Sequence, residues 1–406
     1  MEPFQYFVPS SSMKIPRPSN RMPHLIQLRN LKMASSAHAY VRGSTVQFYE
    51  WLHSQRGCRL PHGPEIWICG DCHAGNLGPT GDLRGRIDMY IRDLDQTVIG
   101  NPAHDLVRLA LSLATVARGS DLPGVIIARM LEGIMLGYEY AFKDKQDKAA
   151  LRPSQVKVAM HSSIEQTWKN LARKRIENTR PTIPLGKHFW SLSQAEKIAL
   201  QTLCSSYEIH QLVNSFKGRH KDAKIKLLDS AYWVKGCSSL GLLRYAVLLG
   251  IGDKDDQRYC LIDIKEAVAA TAPYIVKSNM PRDNSYRVVE GARHLSPGLG
   301  ERMRATRFLD HVFFVRELLP QDMKLKLDEL SETYAIYAAG YLASIIGIAH
   351  ARQMDRDTRK DWMAVLQENR SKQLDAPSWL WTSVVQLVGN YEQGYLNHCR
   401  RYALKC

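Results

Sequence analysis

The sequence predicts an α+β fold in which a small β-rich module lies inside a mainly helical chain. Three stretches rich in β-branched and aromatic residues follow one another between residues 231 and 265, separated by glycine-containing turns. Segments before and after them have apolar residues at helical spacing. With 406 residues, 45% of them hydrophobic and 23% charged, the chain can bury a sizeable core, which excludes a disordered or collagen-like protein.

The first half of the chain is predicted to contain a helical region, two strands and a helix pair. Residues 1–33 carry several prolines among serines and arginines, so we expect an extended leader. A helical pattern covers about 34–55. The apolar run 66–69 predicts a strand that enters a loop, and residues 86–94 predict another strand. Two helices, divided near Gly119–Gly124, are expected within 103–142.

The second half is predicted to contain the β-rich module between two helical regions. Residues 143–228 are charged and mostly helical, with a break at 181–186. The expected strands are 232–234, 245–249, 259–264 and 312–318, with one helix at 284–295. We therefore divide the chain into a leader (1–33), a loop-bearing helical part (34–142), a basic helical segment (143–228), a β-rich part (229–320) and a C-terminal helical part (321–406).

The charge balance favours anionic partners. The formal net charge is +15 and the isoelectric point is near 9.4, which suits nucleotides, phosphorylated metabolites, nucleic acid or acidic membranes. Two basic stretches, 169–175 and 217–226, have few aromatic neighbours, so nucleic acid is an improbable partner. Solvated helix faces are the favoured interpretation of these stretches, and docking of an anionic substrate is the alternative.

No feature of the sequence predicts export or a membrane span. The N-terminus has no apolar region followed by a cleavage site. The longest uncharged apolar stretch, residues 334–349, is shorter than the ~20 residues that a membrane-spanning helix needs, so we expect a buried helix. Eight cysteines without an export signal favour reduced thiols and a cytoplasmic location.

The first group of candidate functional residues follows the first strand. Asp71 and Asn76 are five positions apart in a loop, which is the spacing of the catalytic loop of kinases. In that loop the Asp accepts a hydroxyl proton and the Asn holds Mg²⁺. The next strand ends in Asp93 and Asp95, either of which could supply a metal-binding carboxylate. Isolated Asp and Asn residues are common in loops for local reasons, so the prediction depends on the whole arrangement.

The same loop offers a second interpretation. Cys69, Cys72 and His73 form a C-x-x-C-H sequence, which is the attachment pattern of c-type haem. The lack of an export signal and of an identifiable axial ligand argues against haem. A zinc site lacks a second Cys/His pair at ligand spacing. A redox dithiol of Cys69 and Cys72 stays open.

A second group lies in the β-rich module. Gly236 and Gly241 have the spacing of the outer glycines in the G-x-G-x-x-G phosphate loop of kinases, with Ser238 in the middle position and Ser239 beside it. Small residues let backbone N–H groups approach phosphate oxygens closely. A hairpin turn would look similar, so this pattern alone is weak.

A lysine and a glutamate complete this second group. Lys265 ends a predicted strand, as does the phosphate-binding lysine of kinases. A kinase also needs a helix glutamate to hold that lysine, and we expect Glu290 in the helix 284–295 to do so. A surface ion pair with a neighbouring arginine or histidine is the alternative for Glu290.

These motifs occur in the reverse of the usual kinase order, which predicts a circular permutation. In their combination they resemble the kinase-like domain of unknown function 2252 family. Parts of them are also similar to aminoglycoside and choline phosphotransferases. The resemblance implies that Asp71 is the catalytic-loop Asp, that Asn76 and Asp93 bind metal, that Lys265 binds phosphate and that Asp105 anchors the following helix. It rests on residues 41–44, 70–78, 93–96, 105–110, 234–241, 264–266, 287–291 and 349–352.

The combined expectation is a two-lobed, permuted protein-kinase-like fold that uses ATP and Mg²⁺. It would move a phosphoryl group to a hydroxyl of an unidentified acceptor, which could be anionic. A nucleotide-binding pseudokinase and a protein nucleotidyltransferase that moves AMP are the alternatives. If the halves share a nucleotide cleft, the Lys265 ammonium should lie within roughly 10 Å of the Asp93 carboxylate, close enough for one Mg²⁺–phosphate group to bridge them.

Overall fold

The computed structural model confirms a mixed helix-and-sheet protein of the α+β class. It describes residues 15–54, 60–143, 181–253, 257–275, 278–319, 331–368, 370 and 376–403. The basic stretch 169–175 therefore lies outside the described residues. The described helices and strands enclose two main hydrophobic cores, one among the helices and one on the sheet.

The described part of the predicted extended leader is mostly helical, which corrects that prediction from Pro18 onwards, and residues 1–14 lie outside the described residues. Helices α1 (Arg21–Ala34), α2 (Ala37–Gly43) and α3 (Thr45–His53) follow one another closely. Pro23 is tolerated because it lies in the first turn, where a backbone N–H has no partner within the helix. Leu25 of α1 is buried in the core on the sheet, so packing against the sheet stabilises this helix despite its proline.

Two short antiparallel sheets surround the Asp71 loop. Strand β1 (Ile66–Ile68) pairs with β4 (Val98–Gly100), and β2 (Leu77–Gly81) pairs with β3 (Ile87–Ile91). The sequence predicted β1 and β3 but missed β2, because the segment Leu-Gly-Pro-Thr-Gly has the composition of a turn. The loop that contains Asp71 and Asn76 thus connects β1 to β2.

The helical core confirms the predicted pair α4 (Ala103–Gly119) and α5 (Gly124–Tyr140). Helix α10 (Glu332–Ala351) has the length and apolar composition of a membrane-spanning helix. However, 72% of its most apolar 18-residue stretch is buried inside the protein. It packs closely against α5 at Gly137 and Gly340. The C-terminal helices are α11 (Arg356–Gln367) and α12 (Ser378–Tyr402).

The β-rich part forms a six-stranded antiparallel sheet. Its strands lie in the order β5 (Phe189–Trp190), β6 (Ile225–Trp233), β7 (Arg244–Ile251), β8 (Arg258–Glu266), β10 (His311–Leu318) and β9 (Met303–Phe308). All strands predicted for this part are present, and β5 and β9 were not predicted. Helix α8 (Asn284–Leu295) has the predicted bounds and begins at Asp283, which accepts hydrogen bonds from two backbone N–H groups of its first turn. The remaining helices of this part of the chain are α6 (Gln194–Cys204), α7 (Tyr207–Asn214) and α9 (Pro297–Gly300).

The basic segment 143–228 is only partly helical where it is described. Helices α6 and α7 fit the expectation, whereas β5 and the first residues of β6 are strands. The basic stretch 217–226 contains exposed lysines, but Arg219 forms an ion pair with the fully buried Glu317 of β10. Arg219 is therefore part of the packing of the sheet, and the other basic residues of this stretch remain solvated.

Candidate functional site

Lys265 of β8 meets two carboxylates from the segment after β3. Its Nζ lies 3.4 Å from Asp93 Oδ1 and also contacts the Asp95 carboxylate. The Lys265 side chain is 3% exposed, in a central strand between Arg244 of β7 and Phe314 of β10. The expectation that Lys265 lies within roughly 10 Å of Asp93 is confirmed. Residues more than 160 positions apart in the sequence thus share one site.

The two carboxylates differ in their electrostatic surroundings. Partial burial raises the pKa of Asp93, but Lys265 and then Arg316 lower it more, so the net pKa is well below its ordinary value. Burial and the Asp93 charge raise the pKa of Asp95 to about 6, although Lys265 opposes this. The Asp93 side chain is 49% exposed, so an ionised carboxylate faces solvent at this site.

A buried cluster of charges joins the sheet to the Asp93 segment. The fully buried Asp263 of β8 accepts hydrogen bonds from Arg244 at 2.6 and 2.8 Å and from Arg316 at 3.2 Å. Arg316 also donates to the backbone carbonyl of Arg92, directly before Asp93, at 3.0 Å. Burial opposes ionisation of Asp263, but the two arginines hold its pKa well below the ordinary value. This cluster was not predicted, because no motif contains it.

Asp71 is held in place by two neighbours. Its Oδ1 pairs with Arg108 Nε of α4 at 2.8 Å, and its Oδ2 accepts a hydrogen bond from Thr45 Oγ1 at 2.9 Å. Asn76 Nδ2 donates to the Asp71 carbonyl at 2.8 Å, and the Asn76 carbonyl accepts from the N–H of Arg92 at 2.7 Å. These bonds bring the loop and the Asp93 segment side by side.

The Asp71 loop rests on a buried polar chain. Asp105 accepts hydrogen bonds from the N–H groups of Cys69 at 2.7 Å and Gly70 at 3.0 Å, and from His350 Nε2 at 3.2 Å. Tyr138 lies 3.0 Å from the other nitrogen of His350. The resemblance implied an anchoring role for Asp105, but sequence reasoning assigned no role to His350. The sequence signal that could have identified His350 is the presence of a histidine in the otherwise apolar helix α10.

The cysteines of the C-x-x-C-H sequence are fully buried. Cys69 and Cys72 have no exposed surface, and His73 is 4% exposed. Burial raises the pKa of Cys72 well above its ordinary value, so its thiol stays protonated at neutral pH. Their tight packing in the helical core gives these thiols a structural role under the loop.

The Gly236–Gly241 loop joins β6 to β7 and packs against the N-terminal helices. Gly236 and Gly241 have φ values of 106° and 114°, which only glycine adopts readily. Lys32 of α1 donates to the Gly236 carbonyl, and Cys237 Sγ lies 3.8 Å from the carbonyl of Ala39 in α2. The loop therefore reaches the same helix, α2, that leads into Thr45 beside Asp71.

The two serines of this loop and Leu243, which follows the loop, differ in what they contact. Ser238 is exposed, and Ser239 Oγ occupies the space where a side chain on Gly236 would begin. After the loop, Leu243 exchanges hydrogen bonds with Glu266, the neighbour of Lys265, through N–H to Oε2 at 2.8 Å and carbonyl to N–H at 2.9 Å. One end of the loop is thereby fixed beside Lys265.

Glu290 does not contact Lys265, which corrects the prediction for this residue. It pairs instead with Arg293 at 3.1 Å and lies 3.6 Å from His294, both on its own helix. The Glu290 side chain is 36% exposed, and its ion-pair partners lie one turn further along the same helix. Arg287 of α8 reaches the Asp95 segment instead and donates to the carbonyls of Asp95, Thr97 and Val268.

The oxygen-rich surroundings fit a magnesium ion better than a transition metal. Among the described residues, no group of three or more His, Cys, Asp or Glu side chains is placed to hold a metal. Mg²⁺ needs only one or two carboxylates, with water and phosphate oxygens as its other ligands. Asp93 is half-exposed, and Asp95 Oδ1 is buried without a hydrogen-bond partner in the described part of the chain. Asp93, Asp95 and the neighbouring Asn76 therefore fit a magnesium site.

The comparison with protein families agrees with the resemblance seen in the sequence. A family model described as an uncharacterised protein conserved in bacteria (DUF2252) matches residues 21–401, nearly the whole chain. The chain belongs to this family. No curated protein and no solved structure matches the chain. The DUF2252 match begins with α1, so this helix, interpreted from the sequence as part of a leader, lies within the family's common region.

Proposed function

We propose that this DUF2252 protein is an ATP- and Mg²⁺-dependent phosphotransferase that acts on a hydroxyl group. The observation that carries the proposal is the meeting of Lys265 with Asp93 and Asp95. A strand lysine beside a half-exposed carboxylate provides a cation for phosphate oxygens and a ligand for Mg²⁺. A pairing made only for stability does not need a carboxylate that stays half-exposed to solvent.

In this proposal each half of the site binds a different part of the reactants. Lys265 binds ATP phosphates, and N–H groups of the Gly236–Gly241 loop approach them from the sheet. Asp93, with Asn76 and Asp95, would hold Mg²⁺, which would neutralise charge on the phosphates. The bond between the γ-phosphorus of ATP and the β–γ bridging oxygen breaks, a bond forms from the acceptor oxygen to this phosphorus, ADP leaves, and Asp71 accepts the hydroxyl proton.

Asp71 positions the acceptor hydroxyl in this scheme. Both of its carboxylate oxygens already have one partner, but each carboxylate oxygen can accept a further hydrogen bond. Its arginine and threonine partners fix its orientation, which suits a reaction that depends on positioning more than on covalent catalysis. Asp71 is thus a hydroxyl-orienting residue held rigidly by α3 and α4.

We also propose that the fold is a two-lobed, circularly permuted relative of the kinase fold. The antiparallel sheet with α8 corresponds to a nucleotide lobe, and the helices with the Asp71 loop correspond to the larger lobe. The order of the motifs along the chain, with the Asp71 loop before the Gly236–Gly241 loop, supports the permutation. A fold depends on contacts more than on chain order, so relocated termini are compatible with the same site.

Phosphorus NMR of the full chain incubated with MgATP and a small-metabolite extract tests the proposal. We expect ADP and a new phosphomonoester signal in equal amounts. Pyrophosphate release with AMP attached to protein would instead indicate nucleotidyl transfer, and unchanged ATP would indicate a pseudokinase. Lys265→Met should reduce turnover at least a hundredfold, because the phosphates lose their cation. Lys224→Met, at an exposed ion pair on the sheet, is the matched control and should keep full turnover.

A further inference from the structure

Two buried nitrogens beside the Asp71 loop lack hydrogen-bond partners within the described residues. They are Arg42 Nε and His73 Nδ1. Both border Gly75: a Cβ on this glycine would lie 3.3 Å from Arg42 Nε and 3.2 Å from His73 Nδ1. A buried polar group without a partner costs about 1–3 kcal/mol. Two such groups that face the same small space indicate a ligand-binding position.

The surroundings of this space are positively charged. Burial lowers the pKa of His73 well below its ordinary value, so this imidazole is uncharged at pH 7; Arg42, Arg108 and His38 lower the pKa further, and Asp93 raises it. Burial also lowers the pKa of Lys32, with a smaller contribution from Arg42. Several cations thus lie close enough to repel one another. Such clustering is unfavourable without an anion and becomes favourable when an anion binds.

The neighbouring carboxylates are already paired with other cations. Asp71 is bonded to Arg108 and Thr45, and Asp93 contacts Lys265. Arg42 Nε is hydrogen-bonded to neither carboxylate. The positive charge of Arg42 is therefore available to a ligand, and guanidinium groups suit phosphate oxygens. Several clustered cations favour a phosphate dianion over a singly charged carboxylate.

The position of the pair relates it to the acceptor. Arg42 is three residues before Thr45, which donates to Asp71, and His73 is two residues after Asp71. We propose that Arg42 and His73 bind a phosphate group of the acceptor, so that the acceptor is a phosphorylated hydroxyl compound. This inference rests on the proposed function, which gives Asp71 the acceptor hydroxyl. Gly75 has no side chain that would cover the two nitrogens.

Calorimetric titration of the full chain with inorganic phosphate tests this site. Gly75→Ala fills the space without changing any charge and should weaken phosphate binding at least tenfold, as should Arg42→Met. Gly119→Ala, where a Cβ meets nothing within 4 Å, is the matched control and should keep the wild-type affinity. Lys224→Met should also keep it, because Lys224 is an exposed residue outside the site. Circular dichroism confirms folding, and Gly75→Ala decides the outcome should Arg42→Met unfold.

Titration with MgATP separates the acceptor from the nucleotide. The Gly75→Ala and Arg42→Met variants should bind MgATP within twofold of the wild type. A parallel loss of MgATP affinity would assign the phosphate site to the nucleotide and overturn the acceptor assignment. Absent phosphate binding, unchanged binding in both variants, or acetate binding more tightly than phosphate would overturn the site. Failure of MgATP to bind, with phosphate binding still sensitive to Gly75→Ala, would refute the phosphotransferase proposal instead.

Discussion

Asp263→Asn should destabilise the protein more than any exposed charge substitution. The Asp263 side chain is fully buried between Arg244, which is 8% exposed, and Arg316, which is 17% exposed. Asparagine keeps nearly the same shape but has no charge and accepts hydrogen bonds with one oxygen only. Two nearly buried guanidinium groups would then lose the charged carboxylate to which both are hydrogen-bonded.

The expected cost of this substitution follows from that geometry. Removal of one partner from a buried ion pair costs about 3–5 kcal/mol, because the remaining charge stays buried without compensation. Since Asp263 serves two arginines, we expect a loss in the upper part of that range. Arg316 also holds the backbone before Asp93, so MgATP affinity should fall as well.

Urea unfolding at pH 7, followed by circular dichroism, measures this loss as a lower transition midpoint. Asp253→Asn is the control, because Asp253 is 82% exposed and its 3.4 Å pair with Lys224 lies in solvent. It should change the free energy of unfolding by less than about 1 kcal/mol. A loss below about 1 kcal/mol for Asp263→Asn would refute the assignment of Asp263 as the link between sheet and site.

The same carboxylate predicts how stability depends on acid. The folded-state pKa of Asp263 is depressed, so its contribution to stability is fully present above the unfolded-state pKa near 4. That contribution is lost as the pH falls from about 4 towards the lower folded-state pKa. Asp263→Asn should therefore lose less stability than the wild type between pH 4 and pH 2.

Three further predictions concern packing, histidine titration and the Asp71 loop. Gly137→Ala should lower the free energy of unfolding in urea by about 3 kcal/mol, because its Cβ would overlap the backbone of Gly340. Gly389→Ala is the control: its Cβ would meet nothing within 4 Å, so it should stabilise α12 by about 0.5–1 kcal/mol. Burial lowers the pKa of His104 to about 4, so its contribution to stability is full above pH 6.5 and falls between pH 6.5 and 4. That contribution should be about 2 kcal/mol smaller at pH 5 than at pH 7, and His104→Gln should reduce the loss of stability between pH 7 and pH 5 by the same amount. Asp71→Asn should reduce turnover at least a hundredfold and also lower stability, since its buried arginine loses a counter-charge; unchanged turnover would exclude Asp71 from the reaction.

Local patterns predicted the elements that local forces determine. Helix α8 was predicted with its bounds because Asp283 caps it and Pro297 follows it. The pair α4 and α5 was predicted from apolar spacing and the glycines between the two helices. Helix α1 was missed because its proline is permitted only in a first turn, and the burial of Leu25 against the sheet is not visible in the sequence.

For the candidate site, the sequence predicted which residues meet but not how each is supported. We predicted the proximity of Lys265 and Asp93 by assuming that the two motifs that contain them share one nucleotide cleft. Glu290 was the wrong partner for Lys265, because it pairs with Arg293 of its own helix, the alternative that the sequence left open. Asp71 is held by Thr45 and Arg108, which are 26 and 37 positions away in the sequence. Asp105 contacts His350, which is 245 positions away, and only the folded chain brings these residues together.

Calorimetric titration of MgATP tests the central claim most directly, because that claim places nucleotide and metal at Lys265 and Asp93. The wild type should bind ATP at least tenfold more tightly with Mg²⁺ than without it. Asp93→Asn should remove that dependence on Mg²⁺, and Asp253→Asn should keep it. Wild-type protein that binds no ATP, or Asp93→Asn that keeps the full Mg²⁺ dependence, would contradict the account.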